Sequence, residues 1–241
     1  MTLLSTRKTA LITGGAARLG KALSVALSKD YNVAIHYNKS HESALRLKDT
    51  LLGSEIFKSD LLRPKEPAKL INRVMEHFGR LDLIINNAGI FINDKSDIVD
   101  LAKMKILNFD APNTLIESAL VYLKANKGSI INIADIAGLH PFKEYKFYSK
   151  TKAQLIDTAK KRALELAKIG IRINTICPGI ISIENYESDN NKKKELIAGI
   201  PLGKFGSADD IADTVMFLAK ATFITGQIIS VDGGRLLNYS Y

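Results

Sequence analysis

The chain has 241 residues, 46% of them hydrophobic, and a formal charge of +9 from 34 Lys and Arg against 25 Asp and Glu. That length suits one soluble domain, residues 1–241, with a large core, and no apolar run is long enough to cross a bilayer. The single cysteine, Cys177, excludes an intrachain disulfide, and basic residues spread without a dense block or an aromatic platform exclude a nucleic-acid face and favour small phosphorylated or carboxylated partners.

Met1 to Lys8 holds a two-leucine apolar patch and no signal-peptide core, so a cytoplasmic location is expected. Thr9 to Thr13 reads as the first strand. Directly after it Thr13-Gly-Gly-Ala-Ala-Arg-Leu-Gly20 opens a helix, where glycine lets backbone amides approach a pyrophosphate at the positive helix end. Gly14, Arg18, Leu19 and Gly20 are therefore cofactor candidates. A second strand, Asn32 to Ile35, runs into His36-Tyr37-Asn38-Lys39-Ser40, which lacks the acidic side chain that would accept from the ribose hydroxyls of NAD. Lys39, Ser40 and Arg18 are instead suited to a 2′-phosphate through charge-assisted hydrogen bonds, which predicts NADPH.

Further strands are expected at Glu55 to Phe57, Leu83 to Asn86, Ser129 to Ile133, Ile171 to Ile176 and Gln227 to Val231. Pro64 and Pro67 mark the start of the third helix, and Gly128 ends the connection before the fifth strand. Cys177, between an apolar strand and Pro178, reads as packing. Residues 180–200, with Asn185, Asp189, Asn190, Asn191 and three successive lysines, read as a loop placed to act as a substrate lid. Strands alternating with helical patterns imply right-handed crossovers and a doubly wound α/β fold, a Rossmann-like parallel sheet of about seven strands with helices on both faces.

Tyr148 and Lys152 lie four residues apart in a helical pattern from Tyr145 to Lys168 and share one helix face. An ammonium beside a phenol favours the phenolate, so the pair is expected to exchange a proton nearer neutrality than the phenol's ordinary value of about 10.

Taken in order, the glycine turn, Asn86-Asn87-Ala88-Gly89, Tyr148 with Lys152, and Pro178-Gly179 resemble the short-chain dehydrogenase/reductase family over essentially the whole chain. The resemblance implies that Tyr148 is the general acid, that Lys152 lowers its pKa and holds the nicotinamide ribose, and that Asn108 maintains a proton path. It implies adenine contacts at Asp60 and Leu61, a coenzyme-lining loop at Asn87, Ala88 and Gly89, and a turn beside the nicotinamide at Pro178, Gly179 and Ile180. Val231-Asp-Gly-Gly234 resembles the family's C-terminal signature. A homotetramer, joined through the long helices between Asn108 and Lys168 and through the C-terminal region, is also implied.

Two positions depart from the family's usual pattern: Arg18 replaces the turn's middle glycine, and Asp135, thirteen residues before Tyr148, replaces the usual serine. Both resemble the pteridine reductase branch, as do His36 to Ser40 and Phe91, which falls where that branch sandwiches a pterin against the nicotinamide. Ala17 stands where some of its members carry a second basic residue, and Asn86 to Gly89 keeps the general family's glycine. The resemblance implies NADPH-dependent reduction of dihydropterins or dihydrofolate, with Arg18, Phe91, Asp135 and Tyr148 on the substrate and Phe142 and Tyr145 as pocket walls. An aspartate beside a phenol can assist only if one of the two holds a proton, so activity is expected to decline with rising pH. No metal, nucleic acid or membrane is assigned. Two alternatives stand: a 3-oxoacyl-[acyl-carrier-protein] reductase, against which Arg18 and Asp135 count, and a non-catalytic NADPH-binding regulator, against which intact Tyr148, Lys152 and Asn108 count.

Overall fold

Successive side chains of a strand point to opposite faces, so a strand covered on both sides is apolar at almost every position. The computed structural model describes residues 7–182 and 190–239. Its strands are β1 (Lys8–Ile12), β2 (Tyr31–Tyr37), β3 (Ser54–Lys58), β4 (Leu83–Asn86), β5 (Ser129–Ile133), β6 (Arg172–Pro178) and β7 (Ile228–Val231). They form one parallel sheet in the order β3-β2-β1-β4-β5-β6-β7. The order reverses between β1 and β4, which opens a crevice at the carboxyl ends of the strands.

The helices are α1 (Arg18–Leu27), α2 (His41–Thr50), α3 (Glu66–Phe78), α4 (Ile98–Lys105), α5 (Ala111–Ala125), α6 (Lys146–Ala167), α7 (Asn190–Ala198) and α8 (Ala208–Lys220). In β1, Ala10 and Ile12 enter a core with Leu23 of α1, Leu47 of α2 and Val215 of α8, while Leu11 enters the other with Leu70 of α3, Leu115 of α5 and Ala159 of α6. This alternation explains why the strands read as continuous apolar runs. No helix among the described residues is long and apolar enough to cross a membrane.

Boundaries differ from the sequence expectation where polar residues stay in the ladder. β2 continues through His36 and Tyr37, which pair with Phe57 and Lys58 of β3. β6 reaches Pro178, which pairs with Val231 of β7 after the ladder to β5 has ended at Ile176, so its missing N–H leaves no partner unmet. The loop expected over 180–200 is partly helical, as α7; residues 183–189 lie outside the described residues.

Candidate active site

The crevice begins at the turn between β1 and α1. Thr13 ties it to the loop after β4: its hydroxyl accepts from the amides of Asn87 (2.9 Å) and Ala88 (3.0 Å), and Asn87 Nδ2 donates to the Thr13 carbonyl at 2.9 Å. A Cβ at Gly20 would collide with the Gly14 carbonyl, so glycine there allows the first turn of α1 to close over the end of β1. The turn has room for a pyrophosphate at a helix end, and its residues fit a dinucleotide. Arg18 holds the left-handed φ of +49° that the usual glycine at this position adopts freely, a conformation that costs a non-glycine residue roughly 1–2 kcal/mol.

His36 lies under this turn. Its Nδ1 accepts from the Gly14 amide at 3.0 Å and its Nε2 donates to the Ser59 carbonyl at 3.1 Å, which requires the neutral ring with its proton on Nε2. Burial pushes its pKa down to about 4. Tyr37 is buried too, its hydroxyl bonded to His41 Nδ1 at 2.7 Å. Asn38, Lys39 and Ser40 are exposed, and Asn38 Nδ2 donates to Asp60 Oδ1 at 3.3 Å. Leu61 is buried in the core.

A cavity of about 1060 Å³ runs from the turn to α6. Arg18, Leu19, Asn87, Gly89, Phe91 and Pro178 to Ile180 line it together with Asp135, Tyr148 and Lys152. Gly14, Gly20, His36 and Asn108 support this wall without lining it. Asn108 occupies a π-helical turn, 106–110; its Oδ1 accepts from the Ile90 amide at 2.8 Å and its Nδ2 donates to the Ile90 carbonyl at 2.9 Å and to Thr151 Oγ1 at 3.3 Å. It fixes the loop after β4 against α6.

Asp135 lies two residues beyond β5 and serves two neighbours. One carboxylate oxygen accepts from the Ala137 amide at 2.8 Å, capping the short 136–138 helix, and the other accepts from the Tyr148 hydroxyl at 2.8 Å. Burial raises the Asp135 pKa, opposed by those two hydrogen bonds and by the charge of Lys152. The Tyr148 pKa lies well above 10, raised first by burial and then by Asp135. Lys152 is not among the groups that set this direction; burial and Asp135 dominate it. Lys152 Nζ donates to the Ile133 carbonyl at 3.0 Å and stands 5.7 Å from the Tyr148 ring centroid, so the group touching the phenol is the acid. Burial also lowers the Lys152 pKa. The resulting site holds a proton on the phenol, directed at a carboxyl group that resists ionisation. Cys177 is fully buried, and burial pushes its thiol up to about 12, consistent with packing.

Phe91 is half exposed, stacked on Tyr145 with centroids 4.4 Å apart at 10°, and meets Tyr148 edge-on at 4.7 Å. Phe142 lines the cavity, whereas Tyr145 backs Phe91. This wall depends on a residue that sequence reasoning missed. The first turn of α6 lacks a side-chain cap of its own; Asp94 supplies one, its Oδ2 accepting from the Lys146 amide and its Oδ1 from the Phe147 amide, both at 2.9 Å. The Asp94 amide donates to the Glu144 carbonyl at 2.9 Å. The loop carrying Phe91 is thus pinned to the helix carrying Tyr148 by partners more than 50 residues apart, a separation at which no local pattern signals contact.

The enoyl-(acyl carrier protein) reductase family model matches residues 15–235. Among curated relatives, a Staphylococcus aureus 3-oxoacyl-[acyl-carrier-protein] reductase FabG is 32% identical over 95% of this chain and 98% of its own length. Among solved structures, NADP-bound ElxO matches with a TM-score of 0.89 and 31% identity, covering 96% of this chain and 100% of that one. A metagenomic blue fluorescent protein in complex with NADPH matches with a TM-score of 0.89 and 27% identity, over 95% and 97% of the two chains. The family match, the 32% identity over nearly the whole length and the seven-stranded parallel sheet together place the chain in the short-chain dehydrogenase/reductase family of NAD(P)H-dependent oxidoreductases.

Proposed function

We propose that this protein is an NADPH-dependent reductase that converts dihydropterins or dihydrofolate to their tetrahydro forms. NADPH is its cofactor: both structural relatives hold NADPH or NADP, and Arg18 presents a guanidinium beside a turn whose following strand end, His36 to Ser40, carries no acid. When bound, the reduced nicotinamide supplies the hydride for the ring carbon of the substrate's imine.

The hydrogen bond from Tyr148 to Asp135 carries the substrate assignment. A 3-oxoacyl thioester presents one reacting carbonyl oxygen, which a single donor such as the Tyr148 hydroxyl serves. A 2-amino-4-oxopterin presents N–H donors that a carboxyl oxygen accepts and a ring nitrogen that must gain a proton, and so has a use for both groups. The Tyr148 hydroxyl holds a proton for that nitrogen, and burial, which raises the Asp135 pKa, favours a second one on the carboxyl group. Lys152, anchored on Ile133, provides the positive charge that offsets ionisation of the pair. The exposed ring of Phe91 offers a flat face for a heterocycle.

Sequence similarity favours a second reading, a 3-oxoacyl-[acyl-carrier-protein] reductase, because relatives at 32–34% identity carry that name. NADPH oxidation followed with dihydrobiopterin, dihydromonapterin, dihydrofolate and an acetoacetyl thioester separates the two. Turnover of the pterins is expected; turnover of the thioester alone selects the second reading, and turnover of none removes both. We also propose a homotetramer in the cytoplasm. Exposed Val121 on α5, Leu164 on α6 and Phe217 on α8 support such an assembly by offering apolar surface for neighbouring subunits to cover.

A further inference from the structure

Residues of α2 also line the cavity. Ser43 and Arg46, three residues apart and so on one helix face, line it together with Arg18 and Lys21 of α1. Lys39, the cation expected for the 2′-phosphate, is not part of that wall. A phosphate monoester carries close to two negative charges at neutral pH; Arg18 balances the first, and the wall offers Lys21 and Arg46 for the second, of which only the guanidinium of Arg46 can present two parallel N–H groups.

Arg46 is available for the second. Its Nη1 lies 3.5 Å from Glu42 Oε2 in a pair whose side chains are 72% and 86% exposed, and its Nη2 donates to Ser43 Oγ at 3.5 Å. An exposed ion pair of this length contributes little and gives way readily to a better acceptor. Phosphate is that acceptor, since a guanidinium can place two parallel N–H groups on its oxygens, and the Ser43 hydroxyl can donate a third bond. Arg18, whose backbone holds φ +49°, lines the same cavity.

We infer that Arg46, assisted by Ser43, is a second anchor for the 2′-phosphate of NADPH and a determinant of its selection over NADH. The inference rests on the NADPH assignment made above. The test measures equilibrium affinity, by calorimetric titration, for 2′,5′-ADP and for 5′-AMP, which differ only in the 2′-phosphate. The wild-type chain should hold 2′,5′-ADP more tightly. Arg46→Ala should weaken 2′,5′-ADP about tenfold, the size expected for losing a hydrogen bond to a charged group, while 5′-AMP affinity stays within about twofold. Arg46→Lys should recover part of the loss. Circular dichroism checks that the exposed substitution leaves the fold intact. An unchanged preference for 2′,5′-ADP in Arg46→Ala overturns the inference, as does an equal loss for both ligands. A wild-type chain that does not distinguish the two ligands overturns the NADPH assignment itself.

Discussion

Acidification should unload the turn at the start of the cofactor site through one residue, His36. The neutral ring satisfies two partners at once, accepting from the Gly14 amide at Nδ1 and donating to the Ser59 carbonyl at Nε2. An imidazolium would set an N–H against the Gly14 N–H inside a site that is 3% exposed. Burial accordingly lowers the pKa from 6.5 to about 4. Below pH 6.5 the unfolded chain takes up a proton that the folded chain refuses, so this contribution to stability is fully present above 6.5 and is lost as pH falls toward about 4. At about 1.4 kcal/mol per pH unit the loss amounts to about 3 kcal/mol, a substantial part of the 5–15 kcal/mol typical of a domain. Urea unfolding followed by circular dichroism, repeated from about pH 7 to about pH 4.5, should show this slope in the wild type. His36→Gln, which keeps one donor and one acceptor without titrating, should show a slope smaller by most of that amount, whatever its stability at pH 7. Carboxylates held low by partners, such as Glu66 and Asp210, also lose stability on acidification, but equally in both proteins. Identical slopes would refute the linkage.

Arg18→Gly relieves a left-handed backbone that Arg18→Ala retains, so the glycine variant should be more stable than the alanine variant by about 1 kcal/mol. That is a melting-temperature difference of about 2–4 °C, with NADPH affinity reduced in both. Asp135→Ala should lower kcat for a dihydropterin by about 10²-fold, the lower end of what a positioned proton donor contributes. Because burial raises the Asp135 pKa, the protonated form persists to higher pH than in an ordinary aspartate, and activity that depends on it declines as pH rises; Asp135→Ser should displace that decline, and an unchanged profile would remove Asp135 from the proton step. Asp94→Ala removes two caps from α6 and should cost about 1–2 kcal/mol in thermal unfolding. It should also raise KM for the substrate more than it lowers kcat, because Phe91 loses its tether, whereas Asp94→Asn should restore part of both.

The sheet was legible because its signal is local: strands buried on both faces read as apolar runs, and β4 and β5 have the limits that composition alone suggests. β2 read short because His36 looks polar in sequence, although both its ring nitrogens have partners inside the fold. In the site, Tyr148 and Lys152 followed from helical spacing and Asp135 from the family resemblance, which marks its position thirteen residues before Tyr148, but their electrostatics did not follow. Proximity of Lys152 in sequence suggested a phenol made more acidic, whereas the direction depends on which group reaches the hydroxyl. The reach of β5 brings Asp135 Oδ2 to 2.8 Å, while the Ile133 carbonyl takes Lys152 Nζ. Asp94 was silent for a related reason, since a cap supplied from another loop leaves no mark near the helix it caps. Helical spacing and family resemblance therefore identified which residues meet, and the positions of single atoms decide what their meeting does: Lys152 Nζ is bound to the Ile133 carbonyl, 5.7 Å from the Tyr148 ring centroid, and the acid takes the phenol's hydroxyl.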